Sequence, residues 1–122
     1  MGEGMEKRKY TRVHVITTVI VESESGAKKY DGVITNLSVG GVGIISPTPL
    51  DVGTDVKVSF KLSNKLEIKD LRGFVTRSEQ LGDKYFTFVG VNFLNVDSEK
   101  RVLINKYVLD RKLEQYSFKI GG

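Results

Sequence analysis

Thr54-Asp55-Val56-Lys57-Val58-Ser59-Phe60-Lys61-Leu62 is the stretch whose reading decides the fold class. Val56, Val58, Phe60 and Leu62 alternate with Lys57, Ser59 and Lys61. A period of two turns every apolar side chain to one face of an extended chain, whereas a helix would scatter the same residues around its axis. The segment reads as a strand with one face in a core and the other in water. Upstream, Val13–Glu22 is rich in β-branched residues, Lys28–Thr35 follows the polar turn Glu22–Ala27, and Gly41–Ser46 is short and apolar. Pro47, Pro49 and Gly53 punctuate the loop that leads into the quoted strand. Downstream, Leu66–Arg77 and Tyr85–Leu94 form a long pair joined through Leu81-Gly82-Asp83. Strands that follow one another after short turns pair antiparallel, and six of them predict a mainly all-β chain closed into a six-stranded antiparallel β-barrel.

The period changes near the end of the chain. Asp97-Ser98-Glu99 has the capping side chain and acidic first turn of a helix start. Leu103, Ile104, Tyr107, Val108 and Leu113 then recur at helical spacing. This predicts one amphipathic C-terminal α-helix over about 97–115, its apolar face covering an end or side of the barrel. Residues 1–12 show no periodic pattern and are expected to form a flexible N-terminal arm, with 13–122 as a single domain.

Composition narrows the chemistry. The 122 residues suit one domain, and 39% apolar with 28% charged residues suits a globular one. With no cysteine there is no disulfide framework, thiolate nucleophile or Cys-based metal site. His14, the one histidine, lies in a β-branched strand and reads as a structural or surface residue rather than a general base. Gly-x-Ser-x-Gly is absent, and Gly40-Gly41-Val42-Gly43 leads into a β-branched stretch rather than the helix a phosphate loop needs. The sequence thus argues against an enzyme and calls for no metal or cofactor. A net charge of +4 favours an anionic partner, and Lys7, Arg8, Lys9 and Arg12 concentrate positive charge within six residues. Val13–Val21, the first apolar run, is too short to span a bilayer, and no signal peptide precedes it, so a cytoplasmic location is the expectation.

Two motifs carry the functional reading. Arg8-Lys9-Tyr10-Thr11-Arg12 is an Arg-x-x-x-Arg at the end of the arm. Asn36-Leu37-Ser38-Val39-Gly40-Gly41 is an Asn-x-Ser-x-x-Gly at the junction of the second and third strands. In this order, on a barrel followed by a helix, they resemble the PilZ domain family over nearly the whole chain. Pro49-Leu50-Asp51-Val52-Gly53-Thr54 resembles the family's Pro-Leu-x-x-Gly loop. Gly90-Val91-Asn92-Phe93 resembles its Gly-Val-x-Phe strand, and Arg101–Val108 its closing helix. Lys7 stands where many relatives carry a further arginine.

The resemblance implies a receptor for cyclic di-GMP, with Arg8, Arg12, Asn36, Ser38 and Gly41 as the ligand-binding residues. The chemistry suits that ligand. An arginine fork meets the O6 and N7 acceptors of guanine together, which a lysine cannot do. Lys7 and Lys9 fall to phosphate or long-range field. The Asn36 carbonyl suits guanine N1–H or N2–H₂, and the Ser38 hydroxyl suits a phosphate oxygen. Gly41, with Gly40 and Gly43, lets the backbone turn or approach the ligand closely. Arg77, near the end of the fifth strand, is a further candidate. A ligand touching both arm and barrel would pin one to the other and alter the surface shown to a protein effector, with either a monomer or a dimer compatible. Two alternatives stay open: a PilZ-like protein-interaction module that binds no nucleotide, and a basic barrel for single-stranded nucleic acid. The second needs stacking aromatics, yet Tyr10 is the single aromatic in the basic cluster, and Phe60, Phe86, Phe88 and Phe93 could equally be core.

Overall fold

The computed structural model describes residues 11–23, 26, 28–64, 66–82 and 85–121, without the side chains of 116–121. It contains β1 (Val13–Ser23), β2 (Lys29–Ser38), β3 (Gly41–Ser46), β4 (Asp55–Ser63), β5 (Leu66–Gln80), β6 (Thr87–Phe93) and α1 (Ser98–Gly121). The six strands close into an antiparallel barrel in the order β1-β2-β3-β6-β5-β4. Closure removes the exposed edges of an open sheet.

The alternation read from the sequence sets the inside of the barrel. Val56, Val58 and Phe60 of β4, Val89 and Val91 of β6, and Val42 and Ile44 of β3 are all buried in one core. The order of the strands departs from simple succession. β3 pairs with β6, and β4 returns to pair with β1. The loop 47–54 makes this crossing, anchored by Leu50 in the core and by the Gly53 amide on the Val75 carbonyl at 2.7 Å. Gly53 takes a φ of +94°, which explains a glycine there.

Four boundaries differ from the sequence reading. β2 runs on to Ser38, so Asn36 and Ser38 belong to the strand and the turn is Val39-Gly40. β5 extends to Gln80, which places Arg77 inside it, and β6 begins only at Thr87. The helix continues from Ser98 to Gly121, past the expected end at 115. Its start is as read: Asp97 Oδ1 accepts the Lys100 backbone N–H at 2.8 Å, satisfying a first-turn donor.

Ile104 and Val108, one turn apart, are buried in the barrel core, with Tyr107 packed beside them. Leu103 and Leu113, assigned to the same apolar face from their spacing, are instead 38% and 64% exposed. The helix meets the core along a narrow stripe, and these two fall outside it. The helix covers the end of the barrel where β1 begins and β2 ends, and Arg111 Nη2 donates to the His14 carbonyl at 3.0 Å. His14 itself is exposed, as a surface histidine should be.

Candidate functional site

The outer wall of the barrel carries one continuous row across four strand pairs. His14 of β1 sits opposite Asn36 of β2, Asn36 opposite Gly43 of β3, Gly43 opposite Gly90 of β6, and Gly90 opposite Arg77 of β5. Simple alternation would not place them there. Ile34 and Val75 face the core, so a regular strand would turn Asn36 and Arg77 inward as well. A register shift lies between Ile34 and Asn36, and another between Val75 and Arg77. Each inserts one extra residue, Thr35 and Thr76, and swings the next side chain to the outer face. The threonine hydroxyls donate to the backbone carbonyls of the facing glycines: Thr35 to Gly43 at 3.5 Å and Thr76 to Gly90 at 3.4 Å.

At one end of the row Arg12 Nη1 donates to Asn36 Oδ1 at 2.6 Å, a short charge-assisted bond. A guanidinium only donates, so the amide must present its oxygen to it and its nitrogen elsewhere. That nitrogen lies over Gly43: a Cβ there would come within 2.5 Å of Asn36 Nδ2 and 2.9 Å of the Phe88 ring. Gly43 thus serves the site by leaving room for the amide and the ring to lie across the sheet. Arg12, which the sequence assigns to a loose arm, is partly buried and tied to the barrel. Arg8, Lys7 and Lys9 lie outside the described residues.

Ser38 and Gly41 both have structural tasks at the rim turn. Ser38 is 2% exposed, and its Oγ accepts the backbone N–H groups of Gly40 at 3.1 Å and Gly41 at 3.2 Å. The hydroxyl braces the rim turn. Gly41 is also buried, and a Cβ on it would strike the Val91 carbonyl oxygen of β6. Its missing side chain lets two strands close up at the rim.

At the far end of the row, Arg77 Nε and Nη2 donate to the two carboxylate oxygens of Glu79, at 2.9 and 3.2 Å. The same guanidinium lies over the Phe88 ring, 5.2 Å from its centroid. The hydrogen bonds and charge of Glu79 hold the pKa of this exposed arginine above its ordinary value. Phe88 and Gly90 were missed as site residues. The signal was present in β6: Thr87, Val89 and Val91 face inward, so Phe88, Gly90 and Asn92 must face outward. Among the phenylalanines left open by the sequence, Phe60 is core, Phe93 packs against it, and Phe88 is on the site face.

Among the described residues no cluster of histidine, aspartate or glutamate could hold a metal ion, and no helix is long and apolar enough to cross a membrane. The groove between α1 and the β4–β5 turn, lined by Leu66, Leu103 and Tyr107, contains none of the motif residues.

The sequence pattern of the PilZ domain matches residues 6–110, spanning both motifs, the whole barrel and most of the helix. The chain belongs to the PilZ domain family. This PilZ domain is similar in fold to the PilZ domain of YcgR from Escherichia coli, solved with c-di-GMP, at 14% identity and a TM-score of 0.70. The match covers 95% of this chain and 98% of that one. It is similar to the Bacillus subtilis inhibitor of motility MotI/DgrA, at 15% identity and a TM-score of 0.77 over 89% of this chain and 53% of that one. The K. pneumonia MrkH–c-di-GMP complex matches at 19% identity and a TM-score of 0.75, over 91% and 55% respectively. This PilZ domain therefore spans about half the length of the MotI and MrkH chains. No curated protein sequence gives a significant match.

Proposed function

We propose that this PilZ domain is a cyclic di-GMP receptor that passes a signal to a protein effector and catalyses no reaction. The observation that carries the reading is the convergence of the Arg12 guanidinium and the Asn36 amide, 2.6 Å apart at the barrel rim. One group matches the O6/N7 edge of guanine and the other its N1–H/N2–H₂ edge. Family membership and the c-di-GMP complexes of the YcgR and MrkH domains support the choice of ligand.

The geometry suggests how binding becomes a signal. The Asn36 carbonyl accepts from Arg12. A guanine offers the same oxygen its own N–H donors, while its O6 and N7 offer Arg12 a pair of acceptors. The base exchanges one donor for another on Asn36 and draws Arg12 onto itself. Arg12 directly precedes β1, so residues 1–12 follow it. Arg8 supplies the second guanidinium, and Lys7 and Lys9 supply positive field for the phosphates. Ser38, Gly40 and Gly41 form the turn that holds Asn36 in place, and Gly43 gives it room. The reordered segment presents a new surface to an effector of motility, exopolysaccharide or virulence.

Calorimetric titration with cyclic di-GMP tests the proposal, with GMP and a single-stranded oligonucleotide as controls. A receptor binds the cyclic dinucleotide at micromolar concentration or below and ignores both controls. Preference for the oligonucleotide would make the chain a nucleic-acid barrel. A folded domain that binds none of the three would be an interaction module.

A further inference from the structure

The helix α1 carries a second apolar stripe that plays no part in the barrel. Its 24 residues span about 36 Å. Among the described residues, those covered by the barrel share one side: Ile104 and Val108 are buried, and Lys100, Tyr107 and Arg111 are partly covered. On the opposite side, Val102, Leu109 and Leu113 are 63%, 50% and 64% exposed. Lys106, also exposed, lies between Val102 and Leu109. In the sequence the spacing runs on through Tyr116 and Ile120. Positions 102, 106, 109, 113, 116 and 120 are separated by alternating steps of four and three, the period of a coiled-coil seam. Lettered as heptads, Lys106 and Leu113 are a positions, and Val102 and Leu109 are d positions. Every barrel-facing residue then falls at b, c or f; Ile104 lies about 200° round the axis from Val102. Leu103, at an e position, lines the groove beside Leu66 instead. One helix thus has two apolar stripes back to back, and the barrel uses one of them.

From Lys112 to Gln115 every residue is exposed, so α1 leaves the barrel after Arg111. A helical segment of about ten residues without tertiary cover is marginal in water, and a matching helix would stabilise it. We propose that the outer stripe pairs α1 with the α1 of a second copy of this chain, parallel and in register. Charge selects the partner and its direction. In a parallel pair each g residue faces the e residue five positions on in the other helix. Asn105 then meets position 110, an aspartate, and Lys112 meets position 117, a serine, so neither flank repels. An antiparallel pair that aligns the whole seam sets aspartate 110 on its own image and Lys112 on its own image, and both contacts repel. Shifting that pair by one heptad avoids the repulsion but brings Glu99 into the seam and leaves position 120 with no helix opposite. In the parallel pair Lys106 faces its counterpart. A lone lysine in an otherwise apolar seam fixes register and a two-stranded state at a cost in affinity. Asp110, one turn along and off the seam, already holds the Lys106 Nζ at 3.3 Å, which turns each ammonium group outward. Val102, Leu109 and Leu113 pack against their own images about a two-fold axis. The barrels, attached at b, c and f, lie on the outer flanks of the pair.

Sedimentation equilibrium of the full chain tests the pairing, from ~1 µM upward over about three decades of concentration. The seam is short and carries a charge, so the average mass should rise from one chain to two within that range. Leu109→Glu and Leu113→Glu should each weaken association at least about tenfold, because the pair would bury an unmatched charge. Both side chains face water in the single chain, so dilute samples of these variants should melt where wild type does. Lys106→Leu should tighten association about tenfold or more. Lys106→Glu tests the register. Alone it should associate no better than wild type, since glutamate faces glutamate. Mixed with wild type, it should form mixed dimers at least about fivefold more readily than either chain pairs with itself. Of the arrangements above, the parallel in-register pair alone sets position 106 against position 106. Wild type that stays a single chain throughout overturns the proposal. Dimers that survive Leu109→Glu and Leu113→Glu at unchanged affinity put the interface elsewhere and overturn it equally. A mixture with no preference for unlike chains overturns the parallel register.

Discussion

Arg12 Nη1 and Asn36 Oδ1, twenty-four residues apart in the chain, meet at 2.6 Å on the outer rim of the barrel. This bond joins the last residue before β1 to the second strand. Substituting either residue should leave the barrel intact, because neither is part of the core. Arg12→Ala should reduce affinity for cyclic di-GMP about 10- to 100-fold, the worth of one bidentate base contact. Asn36→Ala should do the same while also relaxing the preference for guanine. Calorimetry with cyclic di-GMP and cyclic di-AMP measures both effects. Unchanged affinity in both variants would place the site elsewhere.

Gly43 and Gly41 should separate binding from stability. A methyl on Gly43 meets the ends of two side chains, Asn36 and Phe88, which can yield by moving out of place. Gly43→Ala should cost about 1 kcal/mol or less in stability yet weaken ligand binding strongly. A methyl on Gly41 meets the backbone of β6, which cannot yield cheaply. Gly41→Ala should cost about 1–3 kcal/mol, the usual range for overpacking. Denaturant unfolding and titration on the same two proteins give the comparison, and equal stability losses would refute it.

Ser38 accepts two backbone N–H groups in a buried turn. Ser38→Ala leaves them without that acceptor and should lower stability by about 1–2 kcal/mol. Thermal unfolding should show a melting temperature several degrees lower. A variant that loses affinity with no change in melting temperature would instead assign the hydroxyl to the ligand.

The helix start carries a pH dependence. Hydrogen bonds from the Lys100 backbone and side chain hold the Asp97 carboxyl below the ordinary aspartate range. A group whose native pKa is depressed binds fewer protons in the folded state than in the unfolded one. Its contribution is therefore complete above the unfolded pKa, about 4, and disappears as the pH falls through the lower native value. Asp97→Asn retains the cap and loses this dependence. The difference in melting temperature between wild type and Asp97→Asn should be constant from pH 5 to 7 and shrink toward pH 3. A difference that does not change with pH would refute the role.

Burial along α1 gives a last contrast. Ile104 is fully buried in the barrel core, and Ile104→Ala should cost about 2–5 kcal/mol. Leu113, nine residues on and so about half a turn round the helix, is 64% exposed and should cost under about 0.5 kcal/mol as Leu113→Ala. Denaturant midpoints check both, and a large loss at Leu113 would mean that its side chain is covered.

Much of this molecule is legible in its sequence, because period and turn chemistry are local. Alternation in 54–62 identifies a strand and its buried face before any partner is known. The switch to helical spacing after Asp97 and the two motifs are legible for the same reason. What the sequence could not supply depends on residues distant in the chain. The pairing of β3 with β6 brings Gly43 against Gly90, and only that pairing joins the two halves of the row. Single-residue bulges at Thr35 and Thr76 turn Asn36 and Arg77 to the outer wall, against the alternation of their own strands. A bulge is a compromise between two strands over register, so one strand's sequence does not say where it falls. The sequence therefore determined which residues face the core where alternation is unbroken, as in 54–62, and which motifs the chain carries. The closed sheet alone decided which polar side chains share one outer surface, because register is a property of paired strands and not of either one.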